Sequence, residues 1–258
     1  MEYIFLILLG LSVGSFLNVC VHRIPIGESV MSGVSRCPAC RAEIRWRYKI
    51  PVISFITLRR RCYSCQARIS WQYPVLELLT AVVFVATYFI FGFGFVAVGK
   101  MMLILLMIVI GLIDLKHFLI PDQLVAMIFL GVLATSLLVE PINWFDRTLG
   151  MLLGFGILYS LAVLGLLLFK QPGFGGGDIK LTAALGLLLG WQSLLVVLAS
   201  TVLVAGGIGL IGILSGLIHR RSRLPFGTFL SFTTIILIAT GRESTIVLAK
   251  QVLDTFFP

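Results

Sequence analysis

"YIFLILLGLSVGSFLNVCV", Tyr3 to Val21, runs for 19 residues without a charged side chain. As a helix it extends about 28 Å, nearly the full hydrocarbon thickness of a bilayer. Only Met1 and Glu2 precede it, so the basic n-region of a cleaved signal peptide is missing and the segment reads as a retained transmembrane helix. Comparable runs follow at about 75–95, 99–114, 122–139, 148–169, 179–190, 193–218 and 226–240, which makes roughly eight in all. The sixth is short for a crossing and is expected to be tilted or buried among its neighbours. The tail after Gly241 reads as a short interfacial helix. At 59% hydrophobic residues and a mean hydropathy of +1.08, a soluble domain of 258 residues is excluded. The expected fold is an all-α polytopic membrane protein of about eight transmembrane helices, with a first helix at 1–21, a polar insert at 22–74 and a transmembrane remainder at 75–258.

The formal charge of +9 invites a nucleic-acid reading, but its distribution argues against one. With eight spans, 16 of the 20 Lys and Arg fall on one side: Arg23 through Arg68, Lys116, Lys170, Lys180, Arg220, Arg221 and Arg223. Loop cations set membrane topology, so that side is expected to be cytoplasmic, with the N-terminus outside. The basic run "RRRCYSCQAR" then serves as a topology signal in contact with anionic head groups, and no nucleic-acid partner is needed.

The insert carries "CPAC" (Cys37, Cys40) and "CYSC" (Cys62, Cys65), a C-x2-C-x21-C-x2-C pattern. Two knuckles, each offering two thiolates on a tight turn, close a tetrahedral zinc site, and in a reducing compartment disulfides are the poorer reading. So small a polar segment needs a staple to fold, which makes the zinc structural. With four cysteines as ligands no position is left for catalytic water. Cys20, inside the first helix, reads as a packing residue.

Few carboxylates lie near membrane boundaries, where an ionisable group usually has a partner, a pathway or a reaction. Glu77 sits just inside the second span and is either functional or snorkels to the surface. Asp114 closes "MMLILLMIVIGLID"; Asp122 follows Pro121 in "FLIPDQLVAMIFL", where capping and function are equally good readings. Asp178 lies in "GFGGGDIKL", Gly173 to Leu181. Its glycines permit unusual backbone angles and close approaches ahead of a helix starting near Ile179; a flexible linker with Asp178 as its N-cap is another reading. A phosphate loop is disfavoured, because neither a preceding strand nor a G-K-[ST] ending is present. Two aspartates at one membrane face suggest a dyad that shares a proton and splits an amide with water.

Taken together, "GSFLNVCVHRIP" (Gly14 to Pro25), the two cysteine pairs, "ISWQYPVLE" (Ile69 to Glu77), "GLIDLKHFLIPD" (Gly111 to Asp122) and "GFGGGDIKL" resemble the bacterial type IV prepilin peptidases, across nearly the whole chain. The resemblance implies that Asp114 and Asp178 are the catalytic aspartates and that 75–258 is an aspartic peptidase core. It implies prepilin or pseudopilin substrates of pilus, type II secretion or competence systems, cut after a glycine that ends a basic leader. It also implies an inner-membrane location and, with all four cysteines kept, N-methylation of the new amine by S-adenosylmethionine. No Rossmann-like G-x-G-x-x-G marks where that cofactor binds. Asn18 is read as orienting a substrate backbone or as packing against a helix. The competing functions are a peptidase without methyl transfer, and a zinc-stabilised transporter or assembly scaffold whose carboxylates relay protons.

Overall fold

The computed structural model describes residues 1–31, 34–138, 143–170, 173–217 and 224–241. The chain forms helices α1 (Glu2–Arg23), α2 (Ile53–Thr57), α3 (Gln72–Phe91), α4 (Phe95–His117), α5 (Asp122–Leu138), α6 (Trp144–Phe169), α7 (Gly176–Leu189), α8 (Trp191–Leu214) and α9 (Phe226–Thr240). Among the described residues extended pairing is limited to two isolated antiparallel bridges, Arg36 with Glu43 and Arg61 with Arg68. The fold is therefore all-helical, as expected, and it divides into two compact units, Met1–Met101 and Met102–Pro258.

In the first unit α1 packs along α3 at backbone distance. Gly10 and Gly14 sit one turn apart on α1, and a Cβ at Gly14 would stand 2.6 Å from Glu77 Cα. This small-x3-small spacing lets two apolar helices associate by close packing where lipid offers no hydrophobic drive. Asn18 fastens the same pair: its amide donates to the carbonyls of Gly14 at 3.3 Å and Tyr73 at 3.2 Å, and its oxygen accepts from Gln72 at 3.4 Å. Packing, rather than substrate orientation, accounts for Asn18.

The second unit is organised around α7, which touches α5, α6, α8 and α9. Leu181, Thr182, Ala184 and Leu185 on this helix are completely buried, as suits a segment that is apolar on every face. Small residues again set the spacing: a Cβ at Gly154 of α6 would lie 2.7 Å from the Thr182 carbonyl of α7. Between α8 and α9 the hydroxyls of Thr201 and Thr233 bond at 2.7 Å in the buried interface.

Five helices among the described residues are long and apolar enough to cross a membrane, and two more, Asp122–Ala134 and Phe226–Thr240, are apolar but shorter. The expected count of about eight is thus not reached on length and composition. The physical reason is clearest for α7, whose 14 residues extend about 21 Å against about 30 Å of hydrocarbon. It is buried among its neighbours, one of the two outcomes expected of this short run. The tail after Gly241, expected as an interfacial helix, lies outside the described residues.

Candidate active site and metal centre

Asp114 occupies the last turn of α4, and its surroundings come from a helix far along the chain. Helix α9 begins after Pro225, a residue with no side-chain acceptor for the free N–H groups of the first turn. Asp114 supplies one from outside. Its Oδ2 accepts the Thr228 backbone N–H at 2.7 Å and lies 3.1 Å from the Thr228 hydroxyl, which also stands 2.9 Å from the Gly111 carbonyl. The positive end of the α9 dipole thus faces a buried carboxylate.

Asp178 is in the first turn of α7, and its Oδ2 accepts the Gly175 N–H at 3.1 Å. The helix starts at Gly176, three residues before the position expected, so Gly175 is the N-cap and Asp178 is a first-turn acceptor rather than the cap. Burial pushes the Asp178 carboxyl up to about 6; the Gly175 N–H opposes this, and the negative charge of Asp114 adds to it. The two aspartates are therefore brought within reach of each other's field inside the second unit.

Of the two roles expected of the glycines before Asp178, unusual backbone angles and close approach, the structure shows the second. Gly175 has φ −75 and ψ 154, and Gly176 and Gly177 are helical, so no left-handed turn is present. What glycine provides is proximity. A Cβ at Gly177 would stand 2.9 Å from Ile120 Cβ, and one at Gly227 would stand 2.8 Å from Ile120 Cδ1 and 3.0 Å from Asp114 Oδ2. Ile120, in the link between α4 and α5, is wedged between the first turns of α7 and α9. The edge-to-face pair Phe174 and Phe226, 4.9 Å apart, joins the same two helix starts.

Asp122 is placed differently from the other two. It is exposed at the start of α5, and both its oxygens lie 2.9 Å from Lys180 Nζ. In the first unit Glu77 is buried, and its Oε2 accepts the Val52 N–H at 2.8 Å. Among the described residues no Lys or Arg pairs with it.

The insert brings Cys37, Cys40, Cys62 and Cys65 together, their sulfurs all within 4.8 Å of one another. Those of Cys37 and Cys65 are 3.9 Å apart, and tetrahedral zinc with bonds of about 2.3 Å sets sulfurs about 3.8 Å apart. The N–H groups of Cys65 and Ser64 point at the Cys62 sulfur and pull its thiol down to about 7. At Cys65 the Ala67 N–H is outweighed by the neighbouring sulfurs and the thiol is pushed up to about 11, so it is the sulfur geometry that speaks for a metal. All five cysteines are unbridged, and Cys20 is buried away from this group. The donor set fits zinc.

Two features escaped the sequence reading. One is an internal repeat: "RCPACRAEI" and "RCYSCQARI" fold alike, with Cys37 N bonded to Ala42 O and Cys62 N to Ala67 O, both at 2.9 Å. Arg41 and Gln66 take matching positive φ angles of 58 and 59. The shared R-C-x2-C-x-A-x-I spacing was its signal. The other is "PFGT", Pro225 to Thr228, whose only signal is a helix start without a capping side chain.

The chain matches the Bacterial Peptidase A24 N-terminal domain over residues 8–91 and the Type IV leader peptidase family over residues 101–240. It is 34% identical over 262 residues to a protein of Aeromonas hydrophila called prepilin leader peptidase/N-methyltransferase, covering 92% of this chain and 90% of that one. A Bacillus subtilis protein of the same name is 33% identical over 237 residues, with 92% and 93% covered. The Myxococcus xanthus protein of that name is 35% identical over 215 residues, which are 82% of this chain but 63% of the relative. No solved structure matches.

Proposed function

Because the chain belongs to the type IV leader peptidase family, we propose that it cleaves prepilins or pseudopilins after the glycine that ends their basic leader and then methylates the new N-terminal amine. As a member of this family it is a multi-pass membrane peptidase with N-methyltransferase activity. Its place is the bacterial inner membrane, with the insert (residues 22–74) and both aspartates on the cytoplasmic face, where the loop cations favour them. The observation that carries the reading is that Ile120 packs against the first turns of both α7 and α9, next to Asp114, and that the charge of Asp114 reaches Asp178.

The chemistry follows from how differently the two carboxyls are held. Asp114, which accepts donors from the first turn of α9, acts as the general base. Asp178, whose carboxyl holds a proton up to about pH 6, acts as the general acid. Water attacks the scissile carbonyl carbon while Asp114 takes one of its protons and Asp178 protonates the carbonyl oxygen. On collapse of the resulting diol the C–N bond breaks, the leaving amine takes the proton from Asp114, and Asp178 recovers one from a diol hydroxyl. No covalent intermediate is required.

Cys37, Cys40, Cys62 and Cys65 hold a structural zinc that orders the insert. S-adenosylmethionine supplies the methyl group to the amine released by cleavage. The test is purified protein in detergent with a prepilin and S-adenosylmethionine, the product N-terminus being read by mass spectrometry. Cleavage after the leader glycine and a product one methyl group heavier support both activities. Cleavage alone leaves a peptidase, and no cleavage by folded protein favours a transporter or scaffold, to be checked by flux across sealed vesicles.

A further inference from the structure

Thr228 grips Asp114 from outside its own helix with both its backbone N–H and its hydroxyl. Its backbone N–H, 2.7 Å from Oδ2, is fixed by the α9 helix and can only donate. Its hydroxyl is different. It has a single hydrogen and two acceptors in range, Asp114 Oδ2 at 3.1 Å and the Gly111 carbonyl at 2.9 Å, so it serves one of them at a time. Both acceptors belong to α4, one turn apart on the face that meets α9.

From this arrangement, and resting on the peptidase reading above, we infer that Thr228 is a positioning residue that holds Asp114 through both protonation states of the dyad. When Asp114 is ionised, the hydroxyl points at Oδ2, since a charged oxygen is the stronger acceptor. When Asp114 takes a proton from the attacking water on Oδ1, Oδ2 becomes a neutral carbonyl oxygen, and the hydroxyl turns to Gly111. No proton leaves Thr228 in either position. The carboxyl stays anchored by the N–H throughout, so it is in place to return its proton to the leaving amine. Gly227 makes the grip possible, because any side chain there would meet Asp114 Oδ2 at 3.0 Å.

The experiment compares Thr228→Val, which removes the hydroxyl and keeps the N–H, with Thr228→Ser, which keeps both. Full-length protein in detergent is assayed for kcat and KM on a prepilin, and for methyl transfer to a synthetic peptide that already carries the mature N-terminus. Losing one hydrogen bond to a charged group is expected to lower kcat for cleavage about tenfold, with KM changed less than about twofold because substrate binding is untouched. Methyl transfer to the peptide is expected to match wild type, showing that the variant is folded, and Thr228→Ser is expected to restore kcat to within about threefold of wild type. Unchanged kcat in Thr228→Val overturns the inference, as does equal impairment of Thr228→Ser, which would make the methyl group's packing the cause. Wild-type protein that cuts no prepilin overturns the peptidase reading and this inference with it, a result distinct from wild-type cleavage that Thr228→Val leaves intact.

Discussion

Glu77 in the first unit and Asp114 in the second are carboxylates buried to nearly the same degree, 6% and 5% exposed, and each accepts a backbone N–H from a distant segment, at 2.8 Å and 2.7 Å. Burial and hydrogen bonding alone do not distinguish them. Their neighbours do. Glu77 takes its donor from Val52, a β-branched residue held at φ 60 at the head of the short helix α2. Asp114 takes its donors from the first turn of α9 and feels a second carboxyl, Asp178. The first arrangement is a latch, joining the insert to α3 and holding a backbone conformation that valine disfavours. The second sets a buried carboxylate where its charge reaches another carboxyl, the arrangement proposed above as the catalytic pair. Burial near a membrane boundary is thus shared by both carboxylates, and what separates them is a second titratable group near Asp114.

That contrast can be tested most forcefully at the insert. Structural zinc is worth about 10–16 kcal/mol in small peptides, so Cys62→Ser should lose bound metal, measured by elemental analysis, and open residues 22–74 to protease. Methyl transfer should fall with it, while prepilin cleavage by the second unit persists. If cleavage fell as far as in an aspartate variant, the separation of roles between the units would fail. Asp114→Asn and Asp178→Asn should each lower cleavage by about 10²–10⁴-fold. Glu77→Gln, which keeps an acceptor for Val52, should stay within about threefold of wild type; an equal loss would make Glu77 part of the reaction rather than a latch. Smaller effects are expected on thermal stability. Glu77→Ala leaves the partly buried Val52 N–H unpaired at a cost of about 1 kcal/mol, and Gly227→Ala costs about 1–3 kcal/mol by crowding Ile120 and Asp114. Only the glycine variant should also slow cleavage. Least of all, Lys180→Met removes the exposed pair with Asp122 and should change stability by no more than about 1 kcal/mol, with cleavage unaltered.

Much of this molecule was legible from the order of its residues. Uncharged runs gave the helices, because a helix in lipid satisfies its own backbone and needs only apolar side chains. The cysteine spacing gave the four-sulfur cluster, since each C-x2-C turn is local. Resemblance to a family singled out Asp114 and Asp178 before their proximity was known. Of the two uses read for the glycines before Asp178, unusual backbone angles and close approach, only the second is found, and its partner Ile120 could not be named because it comes from another segment. Five of the roughly eight expected spans are long and apolar enough to cross a membrane among the described residues, and α7 is the short, buried sixth run that its length foretold.

Hydropathy, motif spacing and helix boundaries are properties of neighbouring residues, so the chain itself specified an all-helical membrane protein with a tetracysteine insert. The setting of Asp114 was not specified in that way. Its donor lies 114 residues along the chain, in a stretch whose own side chains offer nothing to the first turn of α9. Only packing brings the two together, because the free N–H groups of one helix start need an acceptor and the buried carboxylate needs donors, and neither requirement can be met within its own segment.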